Sequence, residues 1–186
     1  MTRLTLHTAD TAPAASQPYI EKAISNNGFL PNLIGVLANA PAALETYFRV
    51  GEINGRTSLT LAEREVVQIT AARVHACDFC VAGHSAVALK KAGLTTAAVV
   101  ALQRGEATGE PKVDALVAFT EAVINHRGDV ADSDVEAFLA AGFTQQQTLE
   151  VILGVSLATL CNFANVLARS PINPQLQPFS AGVLAE

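Results

Sequence analysis

No stretch of this chain alternates apolar and polar residues for long enough to make a strand, whereas apolar residues recur at helical spacing between well-marked stops. The sequence is therefore confined to an all-α fold. Thr60-Leu-Ala-Glu63 is a capping box, in which hydroxyl and carboxylate each satisfy a free backbone N–H, and it opens an apolar-periodic helix. Asn27-Gly28 and Asn54-Gly55 are breaks, Pro31 and Pro41 suit first helical turns, and Gly93 after Lys90-Lys91 is a left-handed stop. Helices are predicted over 18–26, 31–38, 41–53, 60–74, 76–91, 95–103, 111–126, 132–141 and 144–170. At 186 residues the chain is the size of one domain, 1–186, with a core over about 17–170. Residues 1–16 and 171–186 are expected to be extended tails. The latter begins at Ser170-Pro171, cannot continue a helix, and is expected to run over the surface or onto a neighbouring subunit.

Half of the residues are hydrophobic, only 16% are charged and Trp is absent, so the core must be close-packed helices of Ala, Val, Leu and Ile. The mean hydropathy of +0.31 is high for a monomer of this size and points to a homo-oligomer. Residues 151–168 carry no charge and are long enough to span a bilayer, but Ser156, Thr159, Asn162 and Asn165 interrupt them. They are expected to form the central buried helix. A net charge of -5, with no basic cluster beyond Lys90-Lys91, argues against nucleic acid or a membrane as partner. The first residues lack a basic start leading into an apolar run, so a cytoplasmic location is expected. A shift of 84 residues sets Thr60 on Thr144, Glu63 on Gln147, Val67 on Val151 and Cys77 on Cys161, as two related helical halves would.

The chemistry-bearing segment is Cys77-Asp-Phe-Cys80-Val-Ala-Gly-His84. In a reducing compartment a CxxC pair is a catalytic or metal-binding element rather than a staple, and Cys161 is left over as a buried small hydrophobe. On a helix beginning near Cys77, positions 77, 80 and 84 share one face. The two thiols can then form an internal disulfide, and His84 sits one turn beyond Cys80. A thiolate is the reactive species, and a free thiol with a pKa of about 8.5 is only slightly ionised at neutral pH. The helix N-terminus and His84 are two devices that lower that value. Glu65 could orient His84 only if the chain turns back near His75-Ala76, which leaves the two about 4.5 Å apart along the axes of an antiparallel hairpin. Zinc would need a fourth ligand, for which His75 is poorly placed, so no metal is expected.

Glu65, eleven residues, then C-x-x-C-x-x-x-H resembles the pattern of the alkylhydroperoxidase AhpD-like group of the carboxymuconolactone decarboxylase superfamily. The similarity extends over the flanks, from Leu30-Pro-Asn-Leu to Glu45 and from Leu59 to Leu94. The resemblance implies an all-helical bundle, assembly as a trimer or hexamer, and a cofactor-free thiol peroxidase for alkyl hydroperoxides. It implies that Cys80 is deprotonated through His84 and Glu65, with Cys77 its disulfide partner, and that a lipoyl or thioredoxin-like protein supplies the external dithiol. Best-studied members have a His between the cysteines, where this chain has Phe79. Two alternatives share the residues: a dithiol/disulfide carrier serving a peroxiredoxin, and a carboxymuconolactone decarboxylase-like lactone enzyme.

Overall fold

The computed structural model describes residues 2–184 as an all-α bundle with no strand among them. Among the described residues nine α-helices run in order: α1 (Gln17–Asn27), α2 (Asn32–Leu37), α3 (Pro41–Asn54), α4 (Leu61–Val74), α5 (Asp78–Lys90), α6 (Thr96–Arg104), α7 (Pro111–Asn125), α8 (Asp132–Ala140) and α9 (Gln145–Ala168). The predicted breaks are where the helices end. Gly28 caps α1 at φ 76°, and the Thr60 box forms with both of its reciprocal hydrogen bonds.

α4 is the helix surrounded on all sides: every residue from Glu65 to Ala72 is buried. It packs against α5, α6, α7 and α9, and its small residues let these neighbours come close. Gly154 of α9 is one such approach, since a Cβ there would stand 3.0 Å from Val67. On one side of α4, Leu102, Leu116 and the stacked rings of Phe119, Phe138 and Phe143 form one core cluster. On the other, α1, α2 and α3 close over Phe79, Cys80 and Val81 of α5 and Leu157 and Cys161 of α9.

Three expectations need correction. Residues 151–168 do not form a helix buried all round. α9 packs on α2, α3, α4, α5 and α7, but Leu149, Ile152, Phe163, Val166 and Leu167 stand exposed along its outer side. It is long and apolar enough to cross a membrane, yet its inner face is part of the core of this bundle. The repeat does not extend beyond the cap chemistry. α9 opens with the same box at Thr144, then runs straight through the position equivalent to the turn after α4, so no second hairpin forms.

Nor are the tails merely extended. Residues 14–16 and 177–179 form 3-10 turns, and both ends are tied to the body. His7 N–H donates to the Gly35 carbonyl at 3.2 Å, and Arg3 N–H to that of Ala168 at 2.9 Å. Asn173 accepts from Asn32 N–H at 2.8 Å, and Gln103 donates to the Phe179 carbonyl at 2.9 Å. The prolines keep the last segment from being helical, and side-chain amides anchor it to the chain's own surface.

Candidate active site

The turn that builds the site lies between α4 and α5. Ala76 N–H bonds to Arg73 O and Cys77 N–H to Ala72 O, a Schellman closure in which Ala76 takes the left-handed conformation at φ 53°. Glycine is the usual residue there, and its absence left the turn without a sequence mark. Cys77 emerges from the closure as the N-cap of α5, and Cys80 lies in the first turn. Both thiols therefore sit where the helix presents partial positive charge.

The hairpin brings Glu65 and His84 together: His84 Nδ1–H donates to Glu65 Oε2 at 2.7 Å. Glu65 is buried, while the His84 side chain keeps 32% of its surface accessible. Burial opposes protonation of His84, but the Glu65 carboxylate and its hydrogen bond, with Cys77 adding to them, hold the imidazole above its ordinary value.

The thiols differ. The Cys80 thiol beside it, and then the Cys80 N–H and the Asn165 amide, hold Cys77 below the ordinary thiol range against the effect of burial. Cys80 is pushed well above that range because it is hydrogen-bonded to Cys77 and buried. The two thiols thus ionise as one coupled pair, in which loss of the first proton is eased and loss of the second opposed. Among the described residues no hydrogen bond joins His84 to either sulfur, and Cys77 is the sulfur whose charge His84 feels. Cys161 is buried nearby, and burial pushes its thiol up to about 12, in keeping with a small core residue.

In the sequence Asn165 is only a polar interruption of an apolar helix. In the fold it stands 2% exposed on α9, its amide nitrogen donates to Cys80 Sγ at 3.3 Å, and its carbonyl oxygen is buried without a partner. Nothing in the CxxC segment points to it, because it comes from the other end of the chain. Asn162, one turn earlier, donates to His75 Nδ1 at 3.0 Å and so fixes the residue before the turn.

Cys80 and His84, but not Cys77, line a cleft of about 820 Å³. Its inner walls are apolar, with Leu33, Phe79 and Leu157 among them, and the C-terminal segment closes one side with Leu176. Tyr47 also lines this space, and burial, then the nearby thiols and Glu65, raise its pKa.

The fold is shared with several solved structures. An uncharacterized peroxidase-related protein with an alkylhydroperoxidase AhpD core from Ralstonia eutropha JMP134 aligns with TM-score 0.84 at 20% identity, over 96% of this chain and 95% of that one. A peroxidase-related protein from Silicibacter sp. TM1040 aligns with TM-score 0.80 at 19% identity, over 94% and 93%. A cysteine-to-alanine variant of the debrominase Bmp8, in complex with 2,3,4-tribromopyrrole, aligns with TM-score 0.75 at 16% identity, over 96% of each chain. No curated protein sequence matches the chain. Residues 41–122 match the model of the Carboxymuconolactone decarboxylase family, a span that holds Glu65, Cys77, Cys80 and His84. Residues 41–122 are thus similar to the Carboxymuconolactone decarboxylase family, and the fold of the chain is that of the AhpD-core structures.

Proposed function

We propose that this protein is a thiol-dependent peroxidase that reduces organic hydroperoxides through Cys77 and Cys80. The observation that carries the reading is a cleft-lining thiol in the first turn of a helix whose N-cap is a second thiol, with the Glu65–His84 ion pair on the same cleft. The shared proton moves from Cys80 to Cys77, and Cys80 Sγ, the sulfur open to the cleft, attacks the peroxide. An S–O bond forms, the O–O bond breaks, and the alkoxide leaves with a proton drawn from the His84/Cys77 side. Cys77 then attacks the Cys80 sulfenic acid, an S–S bond forms, and hydroxide departs as water once protonated. An external dithiol, on a lipoyl or thioredoxin-like protein, returns two electrons and two protons to the disulfide. No cofactor or metal takes part.

The same proposal has the whole chain acting as one domain in the cytoplasm, where such dithiols are kept reduced. It has the working unit as a homo-oligomer, a trimer or hexamer, in which another copy covers the exposed apolar side of α9. Sedimentation equilibrium reads that state directly, and a monomer would remove this part of the reading.

The test is consumption of cumene hydroperoxide by the purified protein with a dithiol, comparing wild type with Cys80→Ser. Turnover is expected in the wild type and only background in the variant. Equal background rates in both overturn the proposal. Fast exchange with a protein disulfide at equally slow peroxide reaction would mark a carrier for a peroxiredoxin. A lactone decarboxylase activity that survives alkylation of both thiols would mark the third reading.

A further inference from the structure

We propose that the cleft at Cys80 is built for a substrate with an apolar body and an anionic end, the anion held by Lys22, Lys90 and Lys91. The inference rests on the peroxidase reading only for what happens at the reacting group; the binding claim stands on the cleft itself.

The chain contains four lysines. Lys112 is paired with Glu63 at 2.8 Å. The other three, from two different helical regions, line this one cleft, and none of them is in an ion pair among the described residues. No arginine lines it, and Glu52 is the one acid that does. A protein with net charge -5 repels anions over most of its surface, so three lysines on one cleft that holds a single acid reverse the local field. Complementing the C-terminal dipole of α5 accounts for Lys90 and Lys91, but not for Lys22, which arrives from α1.

The distances fit a ligand that reaches from one end to the other. Cys80, Gly83, His84, Val87, Lys90 and Lys91 all line the cleft and recur at three- and four-residue intervals, so they form one stripe along α5. Cys80 and Lys91 are about 16 Å apart along the helix axis. An extended alkyl chain of about fourteen to fifteen carbons covers that span, given the 3.3–3.6 Å that three backbone bonds cover when extended. Gly83 offers no side chain in the middle of the stripe, where a Cβ would meet only Leu176, at 3.9 Å. The lysine stems are held in place: Lys22 Nζ lies 5.4 Å from the Phe48 ring centroid and Lys90 Nζ 4.4 Å from that of Phe179. Their remaining hydrogens stay available to a carboxylate.

The experiment pairs a turnover readout with a binding readout. For turnover, the hydroperoxide of a long-chain fatty acid is compared with that of its methyl ester. The acid is expected to have a kcat/KM about tenfold higher at low ionic strength, an advantage that shrinks with added salt. The triple variant Lys22→Gln, Lys90→Gln, Lys91→Gln is expected to bring the ratio to about one. For binding, calorimetric titration with decanoate and with decanol is expected to favour decanoate about tenfold in the wild type, and neither in the triple variant. If hydroperoxides are reduced but acid and ester, and decanoate and decanol, behave alike, the anion site is overturned and the peroxidase stands. If no hydroperoxide is reduced but decanoate binds through the lysines, the peroxidase falls and the anion site stands.

Discussion

His84 Nδ1 donates to Glu65 Oε2 at 2.7 Å across the α4–α5 hairpin, so a buried carboxylate on one helix sets the charge of a cleft-facing imidazole on the next. Glu65→Gln keeps a hydrogen-bond acceptor and removes the charge. The His84 pKa is then expected to fall, because burial is no longer offset. A histidine whose folded value is raised stabilises the fold in full below its unfolded value of about 6.5, and that contribution is lost as pH rises through the folded value. Urea denaturation of wild type and Glu65→Gln should therefore differ most below about pH 6.5 and converge or cross as pH rises through the raised His84 value. A pH-independent difference would remove the ion pair from the account.

The Cys77/Cys80 pair should titrate in two well-separated steps, the first below the ordinary thiol range and the second well above it. Cys80→Ala removes the thiol that donates to Cys77, so the remaining cysteine is expected to ionise at higher pH than the first step of the wild type. Alkylation rate against pH, with peptide mapping of the labelled sulfur, reads both effects. Labelling of Cys80 alone at the first step would reverse the assignment of the lower pKa.

Asn165 lowers both thiols through its amide, the donor to Cys80 Sγ. Asn165→Leu is expected to slow thiolate alkylation at neutral pH about tenfold, the scale of one hydrogen bond to a charged group. Stability should change by less than about 1 kcal/mol, because the variant also removes a buried oxygen that has no partner. Loss of stability with an unchanged alkylation profile would make Asn165 a packing residue only.

The parts of this architecture governed by local chemistry were legible in the sequence. Capping boxes, helix-initiating prolines and left-handed glycines act within four residues of themselves, and the helix limits agree with them to within two or three residues at most ends. Glu65 and His84 pair as expected because hairpin geometry is arithmetic once a turn is assumed. The features that escaped came from residues far apart in sequence. Asn165 is 85 positions from the sulfur it touches, and the tail amides that bind residues 171–180 to α2 and α6 leave no periodic signal. The central position was also expected of the wrong helix. Hydropathy favours α9 as the core helix, but the helix buried on every side is α4, whose Ala, Thr and Gln residues permit close approach from all directions.

Ala76 offers a stability test of the turn that joins the two helices. Its φ of 53° is the left-handed conformation, which disfavours any residue with a Cβ by about 1–2 kcal/mol relative to glycine. Its methyl group is exposed, so removing it sacrifices no core packing. Glycine also loses more chain entropy on folding, which offsets part of the gain. Ala76→Gly is therefore expected to stabilise the protein by about 0.5–1 kcal/mol in urea denaturation, with the Schellman hydrogen bonds retained. The placement of Cys77 depends on those bonds, so the alkylation profile of the thiol pair should be unchanged. A destabilised Ala76→Gly variant would mean that the left-handed turn is not the conformation joining α4 to α5.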